Sequence, residues 1–159
     1  MIQRIQSVFL LLLALAMIGV AFLPVWTKTD PLSNQTLTMT AWHMTLTNLT
    51  GSPVQAPVPN YPVGALALAS AAVALFEIFQ YRNRFTQLKL GALNLLLIMA
   101  TLGASFYYLN QGEQMLNLKI PGEFEAGFYL PTLALLLNLL ANRFIRSDEK
   151  LVRSMDRLR

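Results

Sequence analysis

The sequence predicts an all-α membrane protein: a four-transmembrane-helix bundle with a small β-containing periplasmic cap and an amphipathic cytoplasmic C-terminal helix. Three observations lead there. Of the 159 residues, 55% are hydrophobic and only 13% charged, with mean hydropathy +0.48, whereas soluble domains carry about 25% charged residues. Four apolar runs of about 20 residues each are long enough, at roughly 1.5 Å per residue, to cross a hydrocarbon core of about 30 Å. The cations are also sorted. Arg4, Arg82, Arg84, Lys89, Arg143, Arg146, Lys150, Arg153, Arg157 and Arg159 fall on one side of these runs, and only Lys28 and Lys119 on the other. Basic segments are retained in the cytoplasm, so both termini are expected there, in a multi-pass protein of a bacterial inner membrane.

The whole chain reads as one membrane domain. Its organising stretch is a hairpin of two spans, 62–80 and 88–109, joined by the short basic loop 81–87, which forces the spans antiparallel. The first span is 5–25. Its basic start and the run Ala14-Leu15-Ala16 also suit a signal peptide. The apolar run continues well past that point, however, so a retained helix is expected. Pro24 and Trp26 mark its outer end, with Trp26 at the membrane interface.

The periplasmic loop 27–61 is the one long polar segment. Leu37, Met39 and Ala41 alternate with threonines, and after an expected bulge Trp42, Met44 and Leu46 alternate with His43, Thr45 and Thr47. This period of two predicts Thr-rich strand, and Pro53, Pro57 and Pro59 make the segment from Gly51 to Pro62 extended and irregular. Pro62 suits the first turn of the second span. Ala67 with Ala71, and Ser70 with Ala74, let a neighbouring backbone approach closely, which predicts that this helix lies at the bundle centre.

The third span ends in Phe106, Tyr107 and Tyr108, an outer aromatic belt with Trp26, Tyr61, Phe128 and Tyr129. In the second periplasmic loop, 110–126, the segment Met115–Ile120 is expected to pair with the Thr-rich strand. The fourth span is 127–145, with Pro131 near its first turn. In the cytoplasmic tail, 146–159, Leu151, Val152, Met155 and Leu158 share a helical face away from Arg153 and Arg157. The tail is either an extension of the fourth span or a helix lying on the membrane.

Little chemistry can be read from these residues. There is no cysteine, which excludes disulfides, thiolate nucleophiles and cysteine metal sites. His43 is the single histidine; beside Trp42 it reads as a surface residue of the periplasmic cap rather than a ligand or base. No phosphate-cradling loop and no hydrolase or metalloprotease motif is present. The expectation is therefore no enzyme, no cofactor, no metal and no nucleic-acid partner. Glu77 stands out, because a carboxyl group within a span is a functional candidate by default. The plainer reading pairs it with Arg82, Arg84 or Arg4 near the interface. Asn94 and Asn138 lie at similar depth, and Glu77, Asn94 and Asn138 together predict an intramembrane polar cluster that fixes helix packing through hydrogen bonds.

The start MIQRIQ and the end NRFIRSDEKLVRSMDRLR carry a resemblance. Ile2, Gln3, Arg4, Asn142, Arg143, Ile145, Asp148, Glu149, Leu151, Val152, Ser154, Asp156, Arg157 and Arg159 match the pattern of an uncharacterised family of short, four-span bacterial inner-membrane proteins, a domain of unknown function. The resemblance implies location and layout but no activity.

The leading expectation is a non-catalytic accessory or scaffolding subunit of an inner-membrane assembly. Its partners would be membrane lipids and other inner-membrane proteins, docking through the cap (Trp42, His43) and the tail (Leu151, Val152, Arg153, Met155, Arg157, Leu158). The alternative is a small lipid or apolar-metabolite binding protein or transporter with its site at Glu77, Asn94 and Asn138.

Overall fold

The computed structural model describes residues 2–48, 50–80, 83–116 and 120–156, with side chains described throughout except at 2–4, 84 and 151–156. Four helices, α1 (Ile2–Phe22), α2 (Tyr61–Phe79), α3 (Arg84–Met115) and α4 (Ala126–Asp156), are joined by five strands: β1 (Trp26–Asp30), β2 (Gln35–Met39), β3 (His43–Asn48), β4 (Val58–Pro59) and β5 (Glu123–Phe124). All four helices are long and apolar enough to cross a membrane.

The helices form a closed ring, α1 against α2, α2 against α3, α3 against α4 and α4 back against α1. Sequence spacing explains why. Buried residues recur three or four apart on each helix: Gln6, Leu10, Leu13, Met17 and Val20 on α1; Val63, Ala67, Ser70, Ala74 and Glu77 on α2; Asn94, Ile98, Thr101 and Ser105 on α3; Ala134, Asn138, Ala141 and Ile145 on α4. That spacing keeps one stripe per helix facing inward. The small residues of α2 serve close packing, but α2 has two ring neighbours like the others, so the expected central helix is not found. The most extensive pairing is instead α1 with α4.

The strands form one antiparallel sheet in the order β4-β3-β2-β1-β5 at the end of the bundle away from the α2–α3 hairpin. Its register aligns Trp26, Met39 and Met44 in one row and Lys28, Leu37 and Leu46 in the next. These residues face the bundle; Trp26, Lys28, Leu37, Met39 and Met44 are fully buried. The opposite face is threonine, with Thr45 and Thr47 hydroxyls donating to the Thr38 and Thr36 carbonyls at 3.4 and 3.3 Å.

The structure departs from the sequence-based expectations at several places. Trp26 is not an interfacial residue; it begins β1 and is 1% exposed. Its indole lies so close to Gly122 that a side chain there would overlap the ring. The expected bulge is a hairpin turn: the Thr40 amide donates to the His43 carbonyl at 3.0 Å, leaving Ala41 and Trp42 at the tip. That tip sits on the start of α2. Gly64 N–H donates to the Ala41 carbonyl at 2.9 Å, satisfying a donor that the helix end leaves free. The Asn60 side chain clamps the same junction by donating to the Thr40 carbonyl at 2.7 Å.

In the second loop, residues through Met115 continue α3, residues 117–119 lie outside those described, and the strand that forms is β5, paired with β1 rather than with β2 or β3. The tail through Asp156 is a direct continuation of α4. Outward-facing aromatics do gather at the sheet end, with Tyr61, Phe106, Tyr107 and Tyr129 exposed.

One ion pair ties the sheet to α3. Lys28 Nζ donates to the Glu113 carboxylate and to the Glu113 carbonyl, both at 3.2 Å. The lysine side chain is 0% exposed and the glutamate 30%. Removing either partner therefore has unequal effects, because a stranded buried charge is the costlier remainder. Glu113→Ala is expected to destabilise the fold by about 3–5 kcal/mol. Lys28→Met, which leaves a hydrated carboxylate behind, is expected to cost about 1–3 kcal/mol. Chemical denaturation of the two variants in detergent checks the order.

Candidate functional site

The candidate site is a polar layer at the hairpin end of the bundle. Its frame is the junction of α2 and α3. Glu77 lies in the last turn of α2 and is 0% exposed, while Phe76 and Phe79 beside it point outward. The carbonyl of Glu77 accepts from Gln80 N–H at 3.1 Å, as expected at a helix end, and also from Gln87 Nε2 at 3.1 Å. Gln87 is buried in the first turn of α3, which Asn83 caps by accepting from Thr86 N–H at 3.2 Å. A side-chain amide thus locks the two helices of the hairpin together.

Two turns further along α3, Asn94 Oδ1 accepts from the Ser70 hydroxyl of α2 at 2.6 Å. From α4, Asn138 Nδ2 donates to the Gly91 carbonyl at 3.0 Å. Asn142, one turn on, packs its amide directly against Gly91, so a side chain at 91 would collide with it. Gln87, Gly91 and Asn94 are four and three residues apart, hence on one face of α3 and within about 10 Å along its axis. Gln6 is buried at the same end on α1.

The structure therefore buries all three expected cluster residues, Glu77, Asn94 and Asn138, but does not hydrogen-bond them to one another. Asn94 and Asn138 each make one interhelical bond. Neither carboxyl oxygen of Glu77 has a hydrogen-bond partner among the described residues. The side chains of Arg4, Arg82 and Arg84, its expected ion-pair partners, lie outside those described. Sequence reasoning missed Gln6, Gln87, Ser70 and Asn142. Their signal was present as the four–three spacing that places Gln87 one heptad before Asn94, and Gln6 one turn before Leu10.

What sets this layer apart is its surplus of acceptors. Among the described residues, Gln6 Oε1, both Glu77 carboxyl oxygens, Gln87 Oε1, Asn138 Oδ1 and Asn142 Oδ1 are buried without partners, against one unpaired donor in the layer, Asn94 Nδ2. Exchanging amide oxygen and nitrogen does not remove this at Gln87 or Asn138. Each donates to a carbonyl, which only accepts, so the nitrogen must stay where it is and the orphan must be oxygen. Buried polar groups are ordinarily paired, and a concentration of unpaired acceptors marks a place where donors or positive charge can be held.

The other predicted positions do different work. Trp42 Nε1 donates to the Ala21 carbonyl at 2.9 Å, capping the end of α1. His43 is exposed at the hairpin edge. Of the tail, Leu151, Val152, Arg153 and Met155 continue the α4 backbone with side chains outside those described, and Arg157 and Leu158 lie wholly outside the described residues. Among the described residues, no group of three His, Cys, Asp or Glu side chains is placed to hold a metal ion.

The pairing of Ser70 with Asn94 yields a direct test. Ser70→Ala leaves both ends of the Asn94 amide unpaired and is expected to cost about 1–3 kcal/mol, whereas Ser70→Ala with Asn94→Leu recovers most of the loss. Thermal unfolding of the single and double variants in detergent measures both.

Residues 2–158, nearly the whole chain, match the sequence family described as a domain of unknown function, DUF4293. No curated protein matches.

Proposed function

The chain belongs to the DUF4293 family, and we propose that it is a non-catalytic binding protein of a bacterial inner membrane whose polar layer takes up a small monovalent cation. In this reading the α2–α3 hairpin and both termini face the cytoplasm and the sheet faces the periplasm. The distribution of Lys and Arg supports that orientation. The observation that carries the proposal is that, among the described residues, the carboxyl group of Glu77 and the amide oxygens of Gln87, Asn138, Asn142 and Gln6 in the same layer have no hydrogen-bond partner. A buried water can satisfy two of these acceptors with its hydrogens but brings no charge to set against a carboxylate. A hard cation accepts oxygen ligands only and matches this surplus, with one carboxylate to balance one charge.

The test is thermal unfolding of the purified protein in mild detergent with sodium, potassium, ammonium or choline chloride. One small cation is expected to raise the melting temperature above the choline value, by an amount corresponding to about 2.7 kcal/mol at a hundredfold excess over its Kd. Glu77→Leu is expected to abolish that shift and to raise the melting temperature in choline, since it removes an unpaired buried group. No difference among the four salts would reject the reading.

A second reading, an accessory subunit docking a cytoplasmic protein partner, is favoured by a separate feature. α4 runs unbroken for 31 residues, about 46 Å, and so extends well past a hydrocarbon core of about 30 Å. A stoichiometric partner retained from native membranes, and lost on deleting 146–159, would support it.

A further inference from the structure

On the outside of the bundle at the hairpin end, α3 and α4 border a groove of about 470 Å³. Its α3 wall is Leu88, Ala92 and Leu95, spaced four and three apart on one face. Its α4 wall changes character along the helix. It begins with Leu139 and continues with Arg143, Arg146 and Lys150, a run of about 16 Å in helical rise. Helical spacing sets these three cations on one face with Leu139, while Asp148 and Glu149 fall off that face. The groove is thus apolar toward the middle of two candidate spans and cationic toward their tips.

We propose that this groove binds an anionic phospholipid, its phosphate held by Arg143, Arg146 and Lys150 and the first part of its acyl chains lying on Leu88, Ala92, Leu95 and Leu139. The division of the groove selects the occupant. A soluble anion uses the cations and leaves the apolar wall bare, and a neutral lipid does the reverse. Guanidinium groups suit the headgroup because their fork of donors matches phosphate oxygens, and basic pockets between spans are a recurrent way of holding such headgroups. Asn142, whose amide packs against Gly91 in the polar layer, also lines the groove, so the two sites adjoin; the lipid proposal rests on the three cations and the apolar wall, not on cation binding at Glu77.

Native mass spectrometry of the full-length protein, delipidated in mild detergent and titrated with phosphatidylglycerol or phosphatidylcholine, tests the proposal. Phosphatidylglycerol is expected to bind at least about tenfold more tightly. Arg143→Gln with Arg146→Gln should weaken it by roughly 10- to 30-fold. Leu95→Trp, which fills the apolar wall and leaves every cation in place, should weaken both lipids. Equal binding of the two lipids by the unaltered protein overturns the proposal even where a variant fails to fold. Inorganic phosphate binding as tightly as phosphatidylglycerol overturns it too, since the acyl chains would then contribute nothing. Folded variants that bind as the parent does would have the same consequence.

Discussion

Everything in this molecule depends on closing the ring between α1 and α4, the two helices farthest apart in the chain. Three successive connections place α1, α2, α3 and α4 side by side, but only the α1–α4 contact turns an open row into an enclosed interior. The contact is built at several heights. Near the hairpin end Phe9 and Phe144 stack with centroids 5.5 Å apart. About one turn from the sheet end Gly19 leaves room for Leu130. At the sheet end the Gly127 amide donates to the Pro24 carbonyl at 2.9 Å and the Glu125 amide to the Val25 carbonyl at 3.1 Å. These last bonds also draw β5 alongside β1, so closing the bundle and completing the sheet are one event. Without closure Gln6, Glu77 and Asn138 would face the surroundings, and the polar layer would not exist.

That layer is a local departure from the rule that governs the rest of the interior. Elsewhere most buried polar groups are satisfied close at hand. The Thr101 and Ser105 hydroxyls donate to carbonyls one turn back at 2.8 Å each, Asp30 turns both its oxygens onto the amide of Leu32 and the hydroxyl of Ser33 at 2.9 Å, and Lys28 finds Glu113. A fold that pairs its polar atoms so readily near the sheet yet leaves a run of oxygens unpaired near the hairpin has its tension in one place. Sites of function are where such local inconsistency is expected.

The sequence made the spans legible because hydropathy and helix length are properties of single segments. Thr-rich alternation likewise announced β2 and β3, and Glu77, Asn94 and Asn138 were visible as polar residues inside apolar runs. What it hid depends on partners distant in the chain. Trp26 looked interfacial because a tryptophan beside a proline at the end of a span usually is. It is buried only because Gly112 and Gly122, more than 80 residues away, leave room for its ring. β1 has just five residues and becomes a strand through β2 and β5. The missing chemistry of Gln87 is of the same kind: an amide at the start of a helix reads as surface polarity until the end of α2 is laid against it. Charge sorting, by contrast, constrains the orientation of the chain without revealing any of these contacts.

α3 joins the two regions in one rigid piece. Its 32 residues carry Glu113, which grips Lys28 beneath the sheet, and Gln87, which grips the end of α2, about 39 Å apart along the helix axis. The helix is held along its length between α2 and α4. A tilt of about 5° about its centre swings each gripping point by roughly 1.7 Å in opposite senses. The sheet and the acceptor-rich layer are therefore spanned by one continuous helix, so any displacement of α3 as a body would be felt at both.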